Sequence, residues 1–315
     1  MVIYTALDEI YSRPILESFE KETGLKVVAQ YDVESNKTVG LKNRISREAA
    51  NPQCDVFWNN EIIHSIRLHQ EGILQPYISP NAAAIPSVYK DPSGYWTGLA
   101  ARARVIVFNK DKVAAGDVPK RLEDFADPKY RHLKKGIAEP LFGTTSTHMS
   151  VMFTKWGEEK FRQFLLDLKA NGVKMVDGNA TCMKMVGAGN LDVGFTDSDD
   201  ANMGITQKGL PLGVIYHNQD DEGTLLIPNT LVMIKNCPHP ENAKKLIDYL
   251  LRPETELTLS LSPSAQIPLH PGVEIKAPVM DVAKYKLFEA DFDKAASSME
   301  RVGELYKEIF FNTKK

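Results

Sequence analysis

The stretch that decides the fold is residues 54–61, which read CDVFWNNE. Its apolar centre, Val56 to Trp58, is typical of a buried strand, and the polar Asn59-Asn60-Glu61 leads into apolar residues at helical spacing. Two similar strand-then-helix patterns precede it, over residues 2–24 and 25–52. Short connections between alternating strands and helices predict a doubly wound α/β sheet.

The same alternation returns in the middle of the chain, between residues 136 and 207. Two longer β-type runs, residues 98–109 and 225–235, separate this middle part from the ends. We therefore predict two α/β lobes joined by two β-strand crossings, with a ligand cleft between them. Lobe 1 comprises residues 1–100 plus 229–315, including a helical segment predicted over 281–310, and lobe 2 comprises residues 101–228.

Composition excludes several classes of protein. The 315 residues are 43% hydrophobic and 25% charged, with a formal net charge of −3. Such a chain has ample apolar residues for a core, and it has no basic block to bind nucleic acid. No apolar run approaches the about 20 residues of a membrane-spanning helix.

The first strand is predicted to begin at residue 2, and the sequence does not open with the basic segment and apolar segment that are typical of a leader. We expect that a leader has been removed and that the protein acts in the periplasm or at the cell surface. The three cysteines, Cys54, Cys182 and Cys237, have no metal or redox spacing and are predicted to be small buried residues.

Polar loops follow the predicted strands at five places. Ligands of open α/β sheets bind at the carboxyl ends of strands, so we expect these loops to form one polar pocket. The loops are Thr5–Glu9, Asn59–Glu61, Gly143–His148, Gly178–Thr181 and Asp197–Asp200.

The hydroxyl turn, residues 143–148 (GTTSTH), has two interpretations. Ser and Thr are common N-cap residues, so the turn could simply cap the helix that follows. A helix start also carries unpaired N–H groups and partial positive charge, which suit an anion. The position after a predicted strand favours a ligand contact by Gly143, Thr144, Thr145, Ser146 and Thr147.

An ordered set of motifs along nearly the whole chain resembles the extracellular solute-binding proteins of ABC importers, in the group that binds ferric iron, thiamine or aminoethylphosphonate. The resemblance implies a type II periplasmic-binding-protein fold, capture of a solute by hinge closure, and delivery to a membrane permease by a monomer. The motifs are residues 2–6 (VIYTA), 54–61 (CDVFWNNE), 101–109 (ARARVIVFN), 194–201 (GFTDSDDA), 227–230 (IPNT) and 264–269 (SAQIPL).

The resemblance also implies roles for single residues. Ferric-binding members hold iron with two neighbouring tyrosines after the strand that here ends at Thr196, but this chain has Asp197-Ser198-Asp199-Asp200 there. Glu61 matches the position of an acidic iron ligand, and Asp8 lies near the position of a histidine ligand. The turn from Gly143 to Thr147 matches the one that holds a phosphate or carbonate.

The acidic run at 197–200 has three interpretations. Asp197, Asp199 and Asp200 could bind an ammonium group, or they could coordinate a hard cation together with Asp8 and Glu61. They could also serve only to cap the next helix.

Further candidates each have a structural alternative. Arg102, on the same strand face as Arg104, is expected to form an internal salt bridge or to meet an anion. Trp58 could stack on a ligand, although core packing is favoured. Asn59, Asn179 and Thr181 are candidate ligand contacts at helix starts, and Asn229 is a candidate hinge or ligand residue on the second crossing.

The sequence thus favours a receptor for a small anionic solute bearing a phosphate, phosphonate or carboxylate, with no cofactor. The alternative is ferric iron or another hard cation, held by Asp8, Glu61, Asp197 and Asp199 with a synergistic anion. An α/β enzyme acting on a phosphorylated substrate is the alternative from another class. It is disfavoured because no nucleotide-binding or nucleophile motif is present.

Overall fold

The protein was analysed as a computed structural model, which describes residues 1–32, 38–273 and 281–311. The chain divides into two compact units. Unit 1 contains Met1–Ala101, Ile227–Ser262 and Gln266–Val279, and unit 2 contains Arg102–Leu226, Pro263–Ala265 and Met280–Lys315. Two of the passages between the units lie within strands, β5 (Thr97–Asn109) and β10 (Leu226–Ile234).

Unit 1 is a sheet of short, mostly parallel strands covered by helices. Its strands are β1 (Val2–Thr5), β2 (Val28–Tyr31), β3 (Val56–Asn59) and β4 (Leu74–Gln75), together with β10. Strand β1 pairs in parallel with β2 and β3, and β10 runs antiparallel to β3 and β4. The helices of this unit are α1 (Glu9–Thr23), α2 (Val39–Arg47), α3 (Ile63–Gln70), α8 (Pro240–Leu250) and α9 (Pro253–Leu261).

Local sequence explains the first of these helices. The apolar stripe of α1 is buried, and its Phe19 ring packs edge-on against Tyr249 of α8 at 5.3 Å. The helix ends at Gly24, whose φ of 72° is a left-handed conformation that glycine adopts without steric cost.

Unit 2 repeats the arrangement with a second sheet. Its strands are β6 (Lys135–Ala138), β7 (Lys174–Val176), β8 (Val193–Asp197) and β9 (Leu212–Tyr216), together with β5. Strand β6 pairs in parallel with β7 and β8, while β5 runs antiparallel to β8 and β9. The helices are α4 (Gly143–Trp156), α5 (Glu158–Ala170), α6 (Asn179–Gly187), α7 (Ser198–Thr206) and α10 (Phe292–Phe310).

Two strand glycines fix the height of α6 above this sheet. Gly136 of β6 and Gly194 of β8 are register partners, and the Cys182 thiol of α6 lies over both. A Cβ atom on Gly194 would come within 2.6 Å of that sulfur. The absence of side chains here lets α6 approach closely, which positions Asn179 at its first turn.

The C-terminal segment belongs to unit 2, which differs from the prediction that residues 229–315 form one lobe with residues 1–100. Helix α10 packs on α4, and its Val302, Leu305 and Ile309 share a core cluster with Met149 and Met152. The predicted helix over 281–310 is also shorter, because only a 3-10 turn at Val282–Lys284 precedes α10. A helix's apolar stripe shows that it packs, but not which sheet it packs against.

Among residues 1–32, 38–273 and 281–311, none of the helices combines the length and apolar character that a membrane span requires. All three cysteines are buried, as expected, and they are free thiols.

Candidate functional site

The carboxyl ends of three parallel strands bring the predicted residues of unit 2 together. The loops after β6, β7 and β8 lead into α4, α6 and α7 respectively. Because parallel strands present their carboxyl ends at one edge, the hydroxyl turn, Asn179 and the acidic run 197–200 become neighbours. Hydrogen bonds and ion pairs join five of the predicted site residues there to Arg102 or Arg104, or to one another: Thr144, Thr145, Asn179, Asp197 and Asp199.

Arg104 lies at the centre of this arrangement, which we call the Arg104 network. Its guanidinium is fully buried and donates to Asp197 Oδ1 at 2.5 Å. It also donates to the hydroxyl oxygens of Thr144 and Thr145, each at 3.0 Å, and it lies 4.7 Å from the centre of the Phe195 ring. A buried guanidinium with a paired carboxylate and two hydroxyl acceptors is electrostatically compensated.

Asp197 also accepts hydrogen bonds at its second carboxylate oxygen. Its Oδ2 accepts from Thr144 Oγ1 at 2.5 Å and from Asn179 Nδ2 at 2.9 Å. Asn179 Oδ1 in turn accepts from Thr145 Oγ1 at 3.0 Å. The hydroxyls of Thr144 and Thr145, predicted to hold an anion, therefore donate within the network.

A second arginine pairs with the acidic run. Arg102 Nε donates to Asp199 Oδ2 at 2.9 Å, and the Asp199 side chain is 21% exposed. Carboxylate oxygens of Asp197, Asp199 and Asp200 lie within 4.8 Å of one another, close enough to coordinate one cation. The capping interpretation does not hold for Asp197, because its side chain makes no capping hydrogen bond to α7.

The start of α4 retains some capacity for a ligand. Gly143 adopts a φ of 61°, and the N-cap residue of the helix is Phe142, whose side chain makes no capping hydrogen bond. Thr147 Oγ1 donates back to the carbonyl of Gly143. Ser146 is buried, and its hydroxyl has no hydrogen-bond partner in the part of the chain that the structure describes.

Two buried histidines lie behind the Arg104 network. The rings of His148 and His217 stack with centroids 5.4 Å apart, and each centroid is 5.2 Å from that of Phe195. Burial lowers the pKa of His148 well below its usual range, with smaller contributions from His217 and Arg104. Burial also lowers the pKa of His217 to about 4. Both imidazoles are therefore neutral at pH 7.

Because the pKa values of these two histidines are lowered in the folded protein, we expect the protein to lose stability in mild acid. Their pKa values are near 6.5 in the unfolded chain, so the unfolded state takes up protons first as the pH falls below 6.5. We expect His217 to lower the free energy of unfolding by up to about 3 kcal/mol as the pH falls from 6.5 to 4. Urea unfolding at pH 7.5 and 5.0 measures the effect, which His148→Phe with His217→Phe should reduce. An equal loss in that variant would contradict the assignment.

The predicted residues of unit 1 have mostly internal partners. Both Glu61 oxygens accept hydrogen bonds, from Asn59 Nδ2 and from the backbone N–H groups of Ile63 and His64 at the start of α3. Trp58 is fully buried in β3, as the favoured core interpretation expected. Asp8 is exposed immediately before α1.

Asn229 and Thr181 complete the set. Asn229 is fully buried and donates to the carbonyls of Leu99 and Ala100 and to Gln266 Oε1, so it stabilises the backbone of β5 near the unit boundary. Thr181 lies half-buried in the first turn of α6.

Two residues of this region were not among the predicted ligand contacts. Arg104, like Arg102, was expected to form an internal salt bridge or to meet an anion, and its alternation with Arg102 on the strand was the available signal. His217 lies 69 residues from His148 in the numbering, and nothing local in the sequence relates the two.

Comparison with known proteins places the chain among transport proteins. It is 25% identical over 308 residues to iron uptake protein A1 of Synechocystis sp., covering 94% of this chain and 81% of that protein. It is 25% identical over 299 residues to the Fe(3+)-binding periplasmic protein of Serratia marcescens, covering 90% and 86%. A putative 2-aminoethylphosphonate-binding periplasmic protein of Salmonella typhimurium is 24% identical over 249 residues, covering 78% and 70%.

Solved structures show the same fold. The ferric binding protein from Campylobacter jejuni superposes with a TM-score of 0.88 at 23% identity, covering 98% of this chain and 99% of that one. Iron-bound HitA from Pseudomonas aeruginosa gives a TM-score of 0.84 at 27% identity, covering 96% and 99%. The predicted type II periplasmic-binding-protein fold is confirmed.

The family model described as bacterial extracellular solute-binding protein matches residues 63–289. This match covers well over half of the chain and agrees with the resemblance seen in the motifs. The chain belongs to the family of bacterial extracellular solute-binding proteins and is the substrate-binding component of an ABC-type importer.

Proposed function

We propose that this protein binds ferric iron outside the cytoplasmic membrane and delivers it to the permease of its importer. The observation that carries the proposal is the group formed by Asp197, Asp199 and Asp200, whose oxygens lie within 4.8 Å of one another. Hard cations take oxygen ligands, and carboxylates supply both the oxygen and the charge.

The relatives support iron over the anionic solute that the sequence favoured. Iron uptake protein A1 of Synechocystis and the Serratia protein are both named for iron. The family and these relatives are solute-binding transport proteins, so they give no support to the enzyme alternative.

The Arg104 network limits how the carboxylates can act. Asp197 already accepts from Arg104, Thr144 and Asn179, whereas Asp199 is paired with one guanidinium and is partly exposed. We therefore assign the main ligand role to Asp199 and Asp200, with Asp197 holding the network in place. Asp8 and Glu61 remain predictions, to be tested by Asp8→Asn and Glu61→Gln.

Iron binding is tested by metal analysis and ferric citrate titration of protein purified without chelator. We expect about one iron per chain, and loss of that iron in the double variant Asp199→Asn with Asp200→Asn. The matched control is Asp220→Asn with Asp221→Asn, an exposed pair in the same unit, which should bind iron as the wild type does. A wild-type protein that stays free of iron throughout would refute the proposal.

An anionic solute is a second candidate. It is favoured by the start of α4, where Phe142 supplies no side-chain cap, and by the Ser146 hydroxyl, which has no partner among the described residues. The Salmonella relative named for aminoethylphosphonate lends it support. Thermal shift with phosphates and phosphonates, in metal-free buffer, separates the two. A shift without metal that Thr145→Val with Ser146→Ala abolishes favours the anion, whereas a shift that requires iron favours iron with a synergistic anion.

A further inference from the structure

Charge around the acidic run of unit 2 is largely cancelled by the protein itself. Asp197 pairs with Arg104 and Asp199 pairs with Arg102, so three carboxylates and two guanidinium groups leave one net negative charge. A trivalent cation placed on Asp199 and Asp200 would therefore meet a positive charge that belongs to the chain.

The two arginines are both buried, but they pair with carboxylates of different exposure. Arg104 is fully buried and bonded to Asp197, Thr144 and Thr145. Arg102 is paired with Asp199, the more exposed partner, whose side chain is 21% exposed against 7% for Asp197. The ion pair of Arg102 with Asp199 is therefore the more exposed of the two pairs.

Hydrogen bonds commit Arg104 to the Arg104 network. Its Nη1 and Nη2 atoms donate to Asp197, Thr144 and Thr145, whereas its buried Nε has no hydrogen-bond partner among the described residues. Arg102 is therefore the guanidinium that meets the more exposed carboxylate, Asp199.

We propose that Arg102 determines the charge of the cargo that unit 2 accepts. Its guanidinium, which is bonded to Asp199, lowers the affinity of Asp199 and Asp200 for a bare cation. This inference rests on the proposed function, because it concerns the same carboxylates. It adds a role in specificity for Arg102 that iron binding alone does not require.

The physical basis is simple Coulomb repulsion. Arg102 Nε is 2.9 Å from Asp199 Oδ2, so a cation bound to that carboxylate would lie about 5 Å from the guanidinium. Even with the dielectric screening of water and salt, removing a unit charge at that distance should strengthen binding of a trivalent ion about tenfold.

The test uses terbium(III), whose luminescence reports binding, in buffer without phosphate or carboxylates. Arg102→Gln is expected to bind terbium about ten times more tightly than the wild type, and Arg102→Lys, which keeps the charge, should bind like the wild type. Arg121→Gln is the matched control, since Arg121 forms an exposed ion pair with Asp221 in the same unit. Thermal unfolding of each variant confirms that it is folded.

The outcomes separate the role of Arg102 from the identity of the cargo. Unchanged or weaker terbium binding by folded Arg102→Gln overturns the proposal, even where the wild type takes up iron. Tighter binding by Arg102→Gln, with no iron uptake by the wild type, upholds the role of Arg102 and refutes iron as the cargo. Equal gains in Arg102→Gln and Arg121→Gln would show a general charge effect and would also overturn it.

Discussion

Replacing Arg104 with methionine is expected to destabilise unit 2 by about 3–5 kcal/mol. The substitution removes the guanidinium that pairs with buried Asp197 and leaves that carboxylate without a counter-charge. It also removes the donors to Thr144 and Thr145, at the start of α4. Urea unfolding monitored by tryptophan fluorescence and circular dichroism measures the change, and we expect solute binding to be lost with it.

A double-variant cycle separates the ion pair from simple loss of packing. Adding Asp197→Asn to Arg104→Met removes the unpaired charge, so the double variant should recover part of the stability that the single variant loses. Arg104→Lys keeps the charge but not the planar fork that reaches three partners, and an intermediate loss is expected. A loss below about 1 kcal/mol in Arg104→Met would show that the buried pair contributes little.

Glu256→Gln is expected to destabilise unit 1 by about 3 kcal/mol. Glu256 of α9 is fully buried and accepts from the backbone N–H groups of Ala100, Leu269 and His270 and from the His270 ring. An amide NH₂ in place of one oxygen would face these donors with another donor. Chemical denaturation of the variant at pH 7 measures the loss.

The pH dependence of the same variant gives a second measurement. The hydrogen bond to Glu256 raises the pKa of His270 above its usual value near 6.5. A raised pKa means that the stabilisation is full below pH 6.5 and is lost as the pH rises through the value in the folded state. Glu256→Gln should therefore lose more stability at pH 6 than at pH 8.5, and the reverse order would contradict this account.

A matched control for Glu256 is Glu254→Gln on the same helix. Glu254 is exposed in the first turn of α9, so its amide variant should change stability by a few tenths of a kcal/mol at most. An equal loss in both variants would show a general effect on the helix rather than loss of the buried contacts.

Most strands and helices of the two units could be predicted from the sequence. The alternation over residues 2–72 predicted the strands and helices from β1 to α3, because apolar runs and helical periodicity are local properties. The motif set also predicted the family and the type II fold. The packing of α10 on α4 was not predictable, since an apolar stripe does not name its partner.

The site was predicted as a set of residues but not as a set of bonds. The sequence placed Thr144, Asn179 and Asp197 after strands, and the structure joins them because parallel strands end at one edge. It could not show that Arg104 already occupies the Asp197 carboxylate and the threonine hydroxyls, since hydrogen-bond partners 40 to 93 residues apart have no local signature.

By itself, then, the sequence determined the α/β class, the family and the polar loops from which a site could be built, because all of these follow from local spacing and composition. Only the tertiary structure decided how the charges of residues 197–200 are compensated. That decision depends on β5 running beside β8, which places Arg104 opposite Asp197 in register and Arg102 near Asp199. The pairing of distant strands thus determines the charge that unit 2 offers to its solute.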